Sequence, residues 1–267
     1  MKASETHDVV RKSYADMLKK AQDEGSCCAS SPTAKLAGYG DSVKHSEAAG
    51  ASLGCGNPVA FAGVREGETV LDLGCGGGLD LLLAAEKTGP SGKVIGVDMT
   101  DEMVVAARRN AARAGFDNIE VRKGLIEHLP VEDCSVDWVI SNCVINLSPD
   151  KTAVFSEIAR VLKPGARFMI SDMVVGDLPE LIRESVAAWS ACVAGAISES
   201  EYSAGLRAAG LESVEVSERL VYDAAQLRAI LSEDIPGFDL DCDQVDGLLQ
   251  QYAGSVWSAR FMGRKPL

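Results

Sequence analysis

The sequence predicts an α/β protein built on a doubly wound, mostly parallel sheet. Three observations lead there. Short runs rich in Val, Ile and Leu recur between residues 68 and 175, as strands buried on both faces require. Helical stretches lie between them, stopped by glycines such as Gly89 and Gly115. The glycine-rich run "LDLGCGGGLD" falls at the first strand-to-helix turn. Strands alternating with helices at this spacing imply βαβ units.

Taken in order, residues 5–22 read as an amphipathic helix, with Val9, Val10, Met17 and Leu18 at helical spacing. From Gly25 to Pro58 the periodicity dissolves into Gly, Ser, Ala and Pro, with Cys27, Cys28 and Cys55 embedded. Loops of that length are usually functional or disordered. Strands are expected at 68–74, 93–99, 118–124, 135–142 and 166–175, and helices at 79–89 and 101–115. Ser148 suits an N-cap with Pro149 at the first helical position, opening a helix to about Leu162. After Pro179 a helix carries Trp189 and Cys192, and a shorter one ends near Gly210. Two late strands, 212–222 and 256–266, enclose a helical insertion holding "AAQLRAILSE" and "DQVDGLLQQYAG". The chain divides accordingly into an N-terminal helix and cysteine-bearing loop (1–57), a central core (58–210), and C-terminal strands with their insertion (211–267).

Composition limits the function. The 267 residues are 46% hydrophobic and 24% charged, as in an ordinary globular protein. A formal net charge of −13 leaves no basic stripe for phosphates, which excludes nucleic acid as a partner but not a cationic small ligand. The N-terminus shows no apolar signal region, and no window approaches a membrane span, so a cytoplasmic chain without a membrane partner is expected. Nothing in the pattern demands an assembly, and a monomer is expected. Eight cysteines without a C-x-x-C pair argue against a zinc ribbon or a thioredoxin-like site. In a reducing compartment they are packing thiols, ligands or catalytic groups rather than structural disulfides.

The glycine turn defines a cofactor site. Gly74, Gly76 and Gly78 let the backbone approach a ligand, Asp72 adds a carboxylate, and Asp98 closes the second strand where an acid commonly holds a ribose diol. The spacing is G-x-G-x-G, which lacks the final glycine of a dinucleotide fingerprint. This D-x-G-x-G-x-G pattern resembles the Rossmann-like class I S-adenosylmethionine methyltransferases. The resemblance implies that Asp98 holds the ribose hydroxyls and Met99 packs on adenine, while "GLIEHLP" lines the adenine pocket through Ile126 and Glu127. Cys75, within the turn, and Asn142, at the end of strand four, complete the expected cofactor contacts.

Cys143 follows strand four, at the carboxyl edge where ligands of open α/β sheets bind. It should face the transferable methyl group. The histidines are His7, His45 and His128, and none is an obvious general base; His7 reads as a surface residue of the first helix. An acceptor with a lone pair and no proton to lose would need none, and thiolates select soft centres such as As(III). "SLGCGNP", "SNCVINLSPDK" and "WSACVAGA" together resemble the arsenite methyltransferases over essentially the whole chain. That resemblance implies that Cys55, Cys143 and Cys192 hold As(III), as arsenite or methylarsenite. The resemblance also implies a fourth cysteine, Cys27 or Cys28, in binding or in the disulfide steps. Thioredoxin or glutathione would then be the external reductant, and the N-terminal loop would act as a cysteine-bearing lid. Cys134 and Cys242 read as packing residues. A methyltransferase of a quinone- or lipid-like small molecule shares the same cofactor half, and a metalloid-sequestering protein shares the thiols.

Overall fold

The structure, a computed structural model, describes residues 3–23, 63–176, 195–231 and 254–267, together with Gly247 and Gln250. Helix α1 (Ala3–Asp23) precedes the sheet. The core then runs β1 (Thr69–Leu73), α2 (Leu79–Thr88), β2 (Lys93–Asp98), α3 (Asp101–Ala114), β3 (Ile119–Lys123) and β4 (Val136–Asn142). A 3-10 turn (Ile145–Leu147) leads to α4 (Lys151–Val161) and β5 (Leu162–Val175). After these come α5 (Glu199–Ala208), β6 (Glu212–Val221), α6 (Ala224–Leu231) and β7 (Val256–Arg264).

One seven-stranded sheet has the order β3-β2-β1-β4-β5-β7-β6. The first five strands pair in parallel, and β7 lies antiparallel to both β5 and β6. The chain winds outward from β1 through β2 to β3, then returns to place β4 on β1's other side. That reversal is the topological switch point, and it opens a crevice above the carboxyl ends of β1 and β4. This is the doubly wound, mostly parallel α/β architecture that the sequence predicts.

Alternation along β1 divides the core. Leu71 and Leu73 join Ile158, Phe168, Tyr202 and Phe261 on one face, while Val70 joins Val94, Val104, Trp138 and Ile140 on the other. Tyr202 stacks on Phe261 at 4.2 Å between ring centroids and meets Phe155 at 5.2 Å, which fixes α5 against the sheet. Ser198 and Glu201 form a capping box that starts α5.

Two boundaries differ from expectation. The N-cap of α4 is Asp150, whose carboxylate accepts the Ala153 N–H, not Ser148. Ser148 instead ends the 3-10 turn, and its hydroxyl is engaged elsewhere. Strand β5 begins at Leu162 rather than 166, because Leu162 already pairs with Val136 across a register shift in β4. The expected helix with Trp189 and Cys192, the loop from Gly25 to Pro58 and most of the second insertion helix lie outside the described residues. Among the described residues no helix is long and apolar enough to cross a membrane.

Candidate functional site

Above the switch point lies a cleft. Its floor is the turn from β1 into α2. Gly74 (φ +64°), Gly76 (φ +49°) and Gly78 (φ +87°) all occupy the left-handed region. They do different work. A Cβ at Gly76 would meet nothing within 4 Å, so this backbone is open to a ligand. A Cβ at Gly74 would stand 2.3 Å from Cγ2 of Val144, so this glycine lets the turn after β1 seat against the turn after β4. Gly78 packs on Ala107 of α3 and does not line the cleft.

Three carboxylates face the cleft from this floor: Asp72, Asp80 and Asp98. Asp98 is held in place, accepting the Gly76 N–H at 3.0 Å and the Thr100 N–H at 2.8 Å. Burial pushes its carboxyl up, against those hydrogen bonds. Asp72 is buried, and its Oδ2 has no hydrogen-bond partner among the described residues. Its carboxyl is pushed well up by burial first, then by the charges of Asp80 and Asp98. A cleft that crowds carboxylates, one oxygen of which is unsatisfied, favours a ligand bringing positive charge and hydrogen-bond donors. Cys75 lies beneath, buried, with its thiol pushed well up by burial and by Asp98 and Asp72. It stays a neutral thiol, a poor nucleophile and a poor ligand.

The opposite wall comes from distant segments. Met99 follows β2, and Ile126 and Glu127 come from the loop after β3. His7, Val10 and Tyr14 come from α1. His7 is therefore no free surface residue: its Nε2 lies 2.9 Å from Glu127 Oε1, within the cleft wall. The spacing of 120 residues between them gave no local signal. Asp80, in the first turn of α2, and Thr100 likewise line the cleft without a strong sequence signal for it, and so does Ser148, which the sequence marks only as a helix cap. Asp80 is the one that a close reading could have found, since it ends the glycine-rich run. Its Oδ2 accepts from Asn142 Nδ2 at 3.3 Å.

Cys143 sits where β4 ends and lines the same cleft as the carboxylates. It is buried, with a left-handed φ of +56°, and its N–H bonds the Ser171 carbonyl at 2.8 Å. It is disulfide-bonded. The other described cysteines, Cys75 and Cys134, are free. The segment after it is anchored from behind. Asn146 donates through Nδ2 to Asp172 Oδ1 at 2.8 Å and to the Met173 carbonyl at 2.6 Å, and Tyr202 donates to Asp172 Oδ2 at 3.1 Å. Of the expected site residues, the structure gathers Asp72, Gly74, Cys75, Gly76, Asp98, Met99, Ile126, Glu127, Asn142 and Cys143 around one cleft. Cys27, Cys28, Cys55 and Cys192 lie outside the described residues.

Comparison with known proteins adds the following. Residues 65–210 match the family described as "Methyltransferase domain". An arsenite methyltransferase of Halobacterium salinarum is 44% identical over 80% of this chain, and one of Aquipseudomonas alcaligenes is 38% identical over 72%. The matches span 59% and 58% of those relatives, so the chain corresponds to less than two thirds of their length. A solved arsenic (III) S-adenosylmethionine methyltransferase from Chlamydomonas reinhardtii superposes with a TM-score of 0.65 at 31% identity, covering 90% of this chain and 75% of that one.

Proposed function

Because the chain belongs to the methyltransferase domain family, we propose that it methylates thiolate-bound As(III) with S-adenosylmethionine, an arsenite methyltransferase serving arsenic detoxification. The observation that carries this reading is the position of Cys143. A cysteine sulfur stands at the carboxyl end of β4, in one cleft with a glycine turn and three carboxylates. The similarity to arsenite methyltransferases supports the choice of acceptor.

The residues present fit the cofactor. It carries a sulfonium, an amino group and a ribose diol, and no phosphate. Asp72, with its unsatisfied oxygen, and Asp80 offer acceptors to the ammonium, and Asp98 to the ribose. Gly76 gives the backbone room, and Met99 and Ile126 offer apolar surface to adenine. When bound, the cofactor supplies an electrophilic methyl group. Cys55, Cys143 and Cys192 would hold As(III) as thiolates and aim its lone pair along the line of transfer, and positioning supplies much of the rate. Thiolate donation raises electron density on arsenic, so no general base is required.

Each transfer formally raises arsenic from As(III) to As(V). Return takes two electrons, which a pair of thiols provides by forming a disulfide, and an external thiol such as thioredoxin or glutathione then restores the pair. The disulfide at Cys143 fits such a cycle as its oxidised form. Segment 25–57, with Cys55 and the Cys27–Cys28 doublet, would close over the acceptor and exclude water.

The test is product analysis with S-adenosylmethionine and a thiol reductant, with and without arsenite. Methylated arsenic matched by S-adenosylhomocysteine is expected. Cys143→Ser should lower that turnover by at least about 100-fold while still binding S-adenosylhomocysteine. Turnover on a quinone-like acceptor alone, or near wild-type arsenite turnover in Cys143→Ser, would sink the reading.

A further inference from the structure

Three segments distant in sequence meet at one oxygen atom. Glu127 Oε1 lies 2.9 Å from His7 Nε2 on α1 and 2.5 Å from Ser148 Oγ in the turn after β4. The Asp150 N–H, at the start of α4, donates to Ser148 Oγ at 3.1 Å. A carboxylate only accepts, so His7 must carry its proton on Nε2 and Ser148 must donate its hydroxyl hydrogen. The Asp150 N–H takes up a lone pair of Ser148 and turns that hydroxyl toward Glu127. Two donors thus occupy Oε1, and Oε2 has no hydrogen-bond partner among the described residues.

Helix α1 is firmly seated where it makes this contact. Val10 is buried with Leu147 and Cys143, and Leu18 is buried against Met103 and Ala106 of α3. His7 is therefore presented by a packed helix, and its side chain is 21% exposed. Glu127 stands in the cleft wall beside Ile126, which supplies apolar surface.

We propose that His7 is a specificity-determining positioning residue. With Ser148 it fixes one oxygen of Glu127, so that the other is presented as a hydrogen-bond acceptor for the exocyclic amine of the cofactor's purine. This rests on the reading that the cleft binds S-adenosylmethionine. A fixed acceptor rewards an amine and penalises an oxo group at the same position, where two acceptors would face each other. A freely rotating Glu127 would adapt to either.

The experiment measures binding to the full chain by calorimetry, with no arsenic present. The ligands are S-adenosylhomocysteine and its 6-oxo counterpart, S-inosylhomocysteine. The wild type is expected to favour the amine by about tenfold or more, the value of one hydrogen bond to a charged group. His7→Ala should bring the two affinities within about threefold of each other. His7→Gln, which keeps a donor on a side chain of similar reach, should restore most of the preference. Ser148→Ala removes the second donor and should narrow the preference also, which covers the case where His7→Ala fails to fold. A wild type without preference, or a preference unchanged in His7→Ala and Ser148→Ala, overturns the inference. So does an equal loss for both ligands, which would mark His7 as a packing residue. If S-adenosylhomocysteine does not bind the wild type at all, the cofactor reading falls and the inference with it.

Discussion

Asp172 shows how one residue holds the turn after β4. It is fully buried on β5, yet it accepts from the Met173 N–H, from the Asn146 N–H and amide, and from the Tyr202 hydroxyl. Lys151 reinforces the same turn by donating to the Asn146 and Ser148 carbonyls. Cys143, just upstream, holds a left-handed conformation that costs a non-glycine residue of order 1 kcal/mol, so its surroundings must over-determine it. Burial pushes the Asp172 carboxyl up to about 6, with the hydrogen bonds and Lys151 opposing. The consequence has a definite sign. Between roughly pH 4 and 6 native Asp172 keeps a proton that the unfolded chain has released, so its contribution to stability falls as pH rises through that window. A shift of about two units corresponds to about 3 kcal/mol. Urea denaturation of wild type and Asp172→Asn from pH 4 to 7 should show the wild type's relative stability declining by about that amount. A pH-independent difference would contradict it.

At the scale of elements, the cleft depends on two turns locking together. Gly74→Ala would drive a methyl group into Val144 at a φ that strains alanine, and should lower stability by about 2–4 kcal/mol. Calorimetric unfolding should show the melting point recovering in part in Gly74→Ala/Val144→Ala, where the clash is relieved and the strain remains. Gly76→Ala meets no neighbour, so its stability loss should be near 1 kcal/mol while cofactor affinity falls further, because the added methyl points into open cleft. Equal behaviour of the two variants would argue against this division of labour. These elements were legible in the sequence because their signals are local. Hydrophobic runs, the glycines closing α2 and α3, and the acid ending β2 each lie within a few residues of what they specify. The cap of α4 was misassigned to Ser148 because two polar residues flank Pro149 and only the fold decides between them. Ser148 is drawn to Glu127, leaving Asp150 to cap. His7 was missed for the same reason at longer range, since nothing near it in sequence mentions Glu127.

For the whole molecule, the sheet keeps two chemistries on one rim. The carboxylates and glycine turn around β1 and β2 suit a cation and hold no redox-active group but the neutral, buried Cys75. Cys143 at β4 is the described sulfur that is both in the cleft and disulfide-bonded. If methyl transfer to arsenic consumes two electrons per cycle, those electrons leave from the cysteine side alone, and the cofactor side is indifferent to oxidation state. Protein reduced and then freed of thiol should therefore methylate on the order of one arsenic per chain and stop, because its own thiols are spent once. Adding thioredoxin with its reductase, or glutathione, should restart turnover, with two thiols oxidised for each methyl group transferred. S-adenosylhomocysteine should still bind the arrested protein, which calorimetry can read directly. Many turnovers without thiol would show that arsenic is not being returned to As(III) through these cysteines. Loss of cofactor binding on arrest would show instead that the disulfide closes the cleft itself, with redox state gating entry rather than supplying electrons.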